Sequence, residues 1–313
     1  MPTLFAVPKP FVGHIGLIQS NAIRSWLALR PRCEVILFGD ETGISDFANR
    51  HAVKHVPELS RNEFGTPLLD DAFLQAKRLA RDDVLCYVNA DIILLSDFLP
   101  SIERVRRSLN RFLMVGCRWD IDLQAPVDFS KSGWEDDLRQ KVATTGIPRP
   151  PEWIDYFAFN RELFTTLLPF ALGRAAFDNW LLWKATSLGA ALVDSSSQIM
   201  AVHQNHDYSH HPGGKTGVWE GPEAKRNREL METWDHCFFL SDASHRLTRF
   251  GVRPNLNPER FRRQWSRRTK FRRRRRHLLW AILIRTYPIR RRLGLRREAF
   301  APLARLLSRG SRS

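Results

Sequence analysis

Acidic residues almost disappear from the last part of this sequence. Of 33 Asp and Glu, 2 lie from Arg246 onward, against 23 of the 49 Lys and Arg. That stretch carries a net +21 and residues 1–245 a net −5, so the overall +16 belongs entirely to a tail. The body therefore lacks the footprint of a nucleic-acid binder, and any basic partner surface lies in residues 246–313. Cysteine is also scarce. Cys33, Cys86, Cys117 and Cys237 are scattered without metal-type spacing, three of them in or beside apolar runs. This pattern fits buried free thiols in a reducing compartment. Long hydrophobic runs are missing as well. The longest in the tail, Leu278–Ile284, is far short of the ~20 residues that span a bilayer. Met1–Phe11 has neither the basic start nor the apolar stretch of a signal peptide, so a cytoplasmic location is expected. No internal repeat is present.

What the sequence does have is organised around Val84–Leu95. Its first half, Val84–Val88, is an apolar run of the kind that forms a strand buried on both faces. Asn89 and Asp91 then interrupt it. Positions two apart in a strand share a side, so both project near the carboxyl end of a central strand, where open α/β sheets bind ligands. A carboxylate there needs a cation, and a divalent metal carrying a phosphorylated ligand is the economical partner. The plainer reading is that Asp91 caps a turn and Asn89 bonds to backbone.

Around this stretch strands and helices alternate. Thr3–Val7, Glu34–Phe38 and Val53–Val56 read as strands, and Leu17–Leu29, Ile44–His51 and Leu69–Arg81 as helices with apolar residues at helical spacing. The alternation predicts an α/β fold with a mostly parallel sheet and helices on both faces. Leu99–Leu109, Arg161–Leu168, Phe177–Ser187 and Lys225–Phe239 read as further helices. Phe112–Cys117, Ile154–Phe159, Ala191–Asp194 and Ile199–Val202 read as further strands, and residues 124–152 as a partly helical insertion over the site. Residues 1–245 form one domain in this reading and 246–313 a basic tail, helical or disordered.

Three clusters are expected at the carboxyl edge: Asp40 with Asn89 and Asp91; Asp120 and Asp122 with Asp155 and Asp178; and the segment His203–His211. Carboxylates without nearby excess basic charge suit a hard metal ion that lowers the cost of charge on a leaving phosphate. Each acid alone also reads as a helix cap, Asp178 ahead of Asn179–Leu182 above all. His206, His210 and His211 allow a zinc site, but Pro212–Gly214 argues for loop rather than helix there. One histidine, His203 or His206, completing an oxygen-rich metal site is the preferred reading, and surface loop histidines the plain one.

With these elements in place the sequence resembles nucleotide-diphospho-sugar transferases of the GT-A type, in particular a family of GT-A-like proteins of bacteria and plants. The resemblance rests on Gln19–Trp26, Phe38–Glu41, Asn62–Pro67, Asn89-Ala90-Asp91-Ile92, Gly116–Asp120, Asp155–Phe157, Gly173-Arg174, Asp178–Trp180 and His203–Tyr208. It covers roughly residues 3–210. It implies a GT-A-like Rossmann-type fold and transfer of a sugar, of the hexosyltransferase class, from a nucleotide-diphosphate donor to a glycan, lipid or protein acceptor. It further implies donor contacts from Asp40, Asn89, Asn21, Arg118, Asp120 and Arg174. Metal binding by Asp91 with His203 and His206, for Mn²⁺ or Mg²⁺, is implied too, with Asp155 and Asp178 facing the reaction. In one departure, Asn89 replaces the first acid of the D-x-D motif, and an amide supplies no negative charge to a metal. A sugar-phosphate nucleotidyltransferase is the alternative enzyme, opposed by the lack of a Gly-rich, Lys/Arg-containing loop after the first strand. A non-catalytic nucleotide- or glycan-binding protein tethered by its tail is the other alternative.

The tail itself reads basic–apolar–basic: Arg272–Arg276, Leu278–Ile284, Arg290–Arg292. A helix of this pattern suits the anionic inner face of a membrane. Nucleic acid is the weaker rival partner, and a solvated disordered end the plain reading.

Overall fold

In the computed structural model the described residues are 1–207 and 213–267. The chain opens with β1 (Thr3–Ala6), α1 (Gly13–Ala28), β2 (Glu34–Phe38), α2 (Ile44–His51) and β3 (Lys54–Val56). It continues through α3 (Leu69–Leu79), β4 (Val84–Val88), β5 (Ile92–Ile93), α4 (Phe98–Ser108), β6 (Phe112–Val115) and β7 (Arg118–Ile121). Next come α5 (Trp134–Thr145), β8 (Ile147–Pro148), β9 (Tyr156–Asn160), α6 (Phe177–Ser187), β10 (Ala191–Asp194) and β11 (Ala201–Gln204). The described part closes with α7 (Gly214–Glu220), α8 (Pro222–Leu230), β12 (His245–Thr248) and β13 (Gly251–Pro254).

The main sheet runs β13-β12-β10-β6-β9-β4-β1-β2-β3. Its pairings are parallel except at β9, which is antiparallel to both β4 and β6, and at the edge pair β12/β13. The expected mostly parallel α/β sheet is therefore present. Both faces are covered, and alternation along the strands shows it. Leu4, Ala6, Val35, Leu37, Cys86 and Val88 pack with α1, α2 and α4. Their neighbours Phe5, Ile36, Phe38, Leu85 and Tyr87 pack with α3 and α6. Successive side chains point to opposite faces, so a strand covered on both sides is apolar throughout.

A second sheet, β5-β11-β7-β8, grows from the carboxyl end of β4. Helix α5 packs on it through Leu138 and Val142, against Ile93, Leu95, Ile121 and Val202. The insertion thus buries its helix in a separate small core, and its end alone reaches the site, where Glu152 lines a cavity and Arg149 bonds Asp120.

Other segments also differ from expectation. Residues 161–168 form turns, not a helix. The Arg161 guanidinium is spent on the carbonyls of Ala80 and Asp82, and Pro169 follows, which disfavours helix in the residue before it. Helix α8 stops at Leu230, with Glu232 left-handed at φ 65°. The first compact unit runs from Met1 to Leu256, beyond 245, because β12 and β13 extend the sheet despite their basic residues. The second unit starts at Asn257, and its described part is helical over 258–267. His210 and His211, and the basic–apolar–basic segment, lie outside the described residues. The four cysteines are free, three of them buried. Among the described residues no helix is long and apolar enough to cross a membrane.

Candidate functional site

Strand register assembles the site. Asp91 precedes β5, which pairs antiparallel with β11 so that His203 stands opposite Ile92. On its other edge β11 runs parallel to β7, with His203 opposite Asp120. Asp91, His203 and Asp120 are thereby brought side by side. Gln204, fully buried, fastens the arrangement: its Nε2 donates to the carbonyls of Asp91 (3.1 Å) and Ile18 (2.8 Å), and its Oε1 accepts from Asn21 (3.0 Å).

Asp91 Oδ2 lies 3.3 Å from His206 Nε2 and 3.8 Å from His203 Nε2. His206 Nε2 faces the Asp91 carboxylate and His206 Nδ1 is 2.6 Å from the Asp207 carbonyl; both partners only accept, so the ring is held between two acceptors, and a metal at Nε2 would take the place of the hydrogen there. His203 Nδ1 is 3.1 Å from Asp120 Oδ1, close enough to donate but misaligned, so it counts as a buried nitrogen without a formed hydrogen bond. Asp91 Oδ1 is likewise buried and unpartnered. One ligand atom from each of Asp91, His203 and His206 lies within 4.8 Å of the others. Ligand-type atoms converging on one spot, with an orphaned carboxylate oxygen beside them, fit a divalent cation. Burial would raise the Asp91 carboxyl, but the His206 hydrogen bond and the charges of His203, His206 and Lys9 outweigh it and hold it well below the usual carboxylate range.

Behind the cluster runs a buried chain of polar groups. Asn89 Nδ2 donates to Asp155 Oδ1 (2.7 Å), and Asp155 Oδ2 accepts from Arg118 (2.8 Å). Arg118 Nε donates in turn to Asp120 Oδ1 (2.8 Å), and Arg149 Nε to Asp120 Oδ2 (2.6 Å). Arg118 lies over the Trp153 ring, 4.7 Å from its centroid.

Two cavities meet at Asp91. The larger, about 610 Å³, is lined by Asp155, Asp178, Trp153 and Trp219 among others. The smaller, about 260 Å³, is lined by Lys9, Glu41, Arg61 and Thr66 among others. Asn89, Asp91, Arg174 and His206 belong to both walls. Asp178 sits in the first turn of α6 and accepts the Asn179 N–H (2.8 Å). Burial, aided by the Asp155 charge, pushes its carboxyl up to about 7 despite that hydrogen bond. Lys9 is pushed down from the usual lysine range by burial and by Arg174, with Asp91 opposing. Arg174 is held by Glu223, buried on α8, at 2.7 Å.

The fold resembles those of several solved structures. TarS 1-349 of S. aureus in complex with UDP-GlcNAc matches at 11% identity and a TM-score of 0.44, over 67% of this chain and 60% of that one. GalNAc-T7 with UDP, GalNAc and Mn²⁺ matches at 15% and 0.46, over 74% and 48%. The mannosyltransferase PcManGT of Pyrobaculum calidifontis, with GDP-Man and Mn²⁺, matches at 18% and 0.42, over 67% and 58%. The chain thus spans between about half and three fifths of these relatives. No protein-family model and no curated protein matches it. These likenesses are distant.

Of the residues expected here, Asn89, Asp91, Arg118, Asp155, Arg174, Asp178, His203 and His206 all line the larger cavity. Four, Asn21, Asp40, Asp120 and Asp122, do not line either of the two. Asn21 is fully buried, its Oδ1 accepting from Val127 N (2.9 Å) and its Nδ2 spent on Gln204, so it braces the site from behind. Asp120, 2% exposed, stands behind His203. Asp40 points outward, its side chain 70% exposed and paired with Arg61 (2.5 Å), while its neighbour Glu41 lines the cavity. Asp178 is not the N-cap of α6, a position taken by Ala176. Asp122 is bonded to Asn205 (2.8 Å), away from the cluster. Lys9, Glu41, Arg61, Trp153 and Trp219 were missed. Lys9 had a readable signal: it follows the carboxyl end of the first strand, the ligand edge of such sheets.

Proposed function

We propose that this chain is a metal-assisted glycosyltransferase that moves a sugar from a nucleotide-diphosphate donor to a hydroxyl acceptor. The observation that carries the reading is the Asp91–His203–His206 cluster at the junction of two cavities, one edged with cations and the other holding a carboxyl that titrates near neutrality. Asp91, His203 and His206 would hold Mn²⁺ or Mg²⁺, and two imidazoles favour Mn²⁺. Such an ion supplies charge stabilisation for the departing diphosphate. Lys9 and Arg174 flank the same spot and suit the phosphates, with Glu41 and Arg61 at the nucleoside end. The larger cavity takes the sugar and the acceptor. Asp155, with both oxygens engaged, fixes Asn89 and Arg118, whereas Asp178 is placed to exchange a proton. The basic residues beyond Leu256 would attach the enzyme to the anionic inner face of a membrane, in keeping with a cytoplasmic location.

A thermal-shift screen of nucleoside diphosphates and nucleotide sugars, with and without Mn²⁺, tests the reading. Ligand at about 100 times its dissociation constant adds about 2.7 kcal/mol of stability. One nucleotide should raise the melting temperature in a Mn²⁺-dependent way, and Asp91→Ala should abolish that shift and sugar transfer while still melting cooperatively. No shift with any nucleotide, or full transfer by Asp91→Ala, would overturn it.

A further inference from the structure

We infer that Asp120 is a positioning residue that sets the tautomer of His203 and thereby the affinity of the cluster for a divalent ion. The inference rests on the metal reading above. The β7/β11 register places Asp120 directly opposite His203, and its carboxylate is 2% exposed. Its Oδ1 is 3.1 Å from His203 Nδ1, on the far side of the ring from Asp91. A buried carboxylate has no proton to donate, so it favours the imidazole form with hydrogen on Nδ1 and the lone pair on Nε2. That lone pair faces Asp91. Carboxylates behind ligating histidines act this way in metal sites generally, fixing ring orientation and raising ligand basicity.

The surroundings make Asp120 hard to replace in this role. Arg118 Nε donates to the same Oδ1 (2.8 Å) and Arg149 Nε to Oδ2 (2.6 Å), which locks the carboxylate plane and keeps it ionised. An amide at 120 would have one acceptor oxygen for three donors. Turned with its oxygen toward Arg118 and His203 it sets NH₂ against Arg149 and withdraws the charge that raises the basicity of the ring. Turned the other way it sets NH₂ against both Arg118 and His203 Nδ1, and the ring would carry its hydrogen on Nε2, where it blocks the metal.

Titration calorimetry of Mn²⁺ into the full-length protein, with no nucleotide and no turnover, tests this. Asp120→Asn should bind Mn²⁺ about 10- to 100-fold more weakly than wild type. Arg149→Met removes a partner of Asp120 but leaves its contact with His203, and should stay within about threefold; a loss as large as that of Asp120→Asn would overturn the inference. Equal Mn²⁺ affinity in Asp120→Asn and wild type would also overturn it, whereas absence of Mn²⁺ binding in wild type would instead remove the metal reading beneath it. If Asp120→Asn does not fold, the wild-type ring decides the matter alone. Its imidazole ¹⁵N signals, assigned by their loss in His203→Gln, should show hydrogen on Nδ1 and a bare Nε2. Hydrogen on Nε2 would refute the assignment.

Discussion

Asn89 Nδ2 donates to Asp155 Oδ1 over 2.7 Å, and the Asn89 backbone N–H donates to the Asp155 carbonyl over 2.9 Å. This pair accounts for an amide at position 89. A carboxylate at 89 would face the buried Asp155 carboxylate at hydrogen-bond distance, and like charges so placed cannot both ionise. Asn89→Asp should therefore cost about 1–3 kcal/mol at neutral pH. The double variant Asn89→Asp/Asp155→Asn should recover most of it, because it exchanges the two partners. Denaturant melts of the four proteins in this cycle measure the coupling, and additive losses would mean that the contact does not decide which residue occupies 89.

Lys9 stands between the cations and the carboxylate of the site: Arg174 lowers its pKa and Asp91 raises it, with burial the largest influence. A diphosphate brought beside it would relieve that crowding of positive charge. Lys9→Met should weaken nucleoside diphosphate binding by about tenfold, the loss of one charge-assisted contact, and leave binding of the bare nucleoside unchanged. Equal weakening of both ligands would place Lys9 away from the phosphates.

Much of this was legible from the residues and some of it was not, for physical reasons. Val84–Val88 is apolar throughout because both of its faces are covered, so it announced itself as a central strand. The register that places His203 beside Asp91 and Asp120 leaves no local trace, since it joins segments more than eighty residues apart. Asn21 belongs to a recognisable stretch, yet it is spent on Gln204 and the 125–127 loop, which a motif cannot distinguish from ligand contact. The prolines around Lys9 disguised a cation at the ligand edge. Charge misplaced the end of the domain, because β12 and β13 carry arginines on a sheet edge that water can reach.

That boundary alters how the tail must be tested. Removal of everything from Arg246 would delete strands of the main sheet, so the cut belongs after Leu256. Residues beyond it should carry the attachment to vesicles containing anionic lipid, each basic residue near the surface contributing about 1 kcal/mol. Liposome flotation of the full chain and of Met1–Leu256 checks this at low and high salt. The full chain should float at low salt only, and equal flotation of both proteins would remove the membrane from the account.

Asp178 offers a prediction whose sign is fixed. Burial and the Asp155 charge raise its carboxyl from 3.8 to about 7. Between those values the folded protein holds a proton that the unfolded chain has released, so this group's contribution to stability falls as pH rises from about 4 through about 7. Asp178→Asn lacks the ionisation. It should melt close to wild type at about pH 4 and be more stable at pH 8, by on the order of 1–2 kcal/mol once the partial exposure of the carboxyl is discounted. If the same carboxyl accepts the proton of the acceptor hydroxyl, transfer by wild type should rise with pH through about 7 and transfer by Asp178→Asn should be slow and flat over that range. The two readouts separate two roles. A stability crossover without a change in the rate profile would make Asp178 a strained neighbour of the site and no part of its chemistry, whereas both together would identify the base.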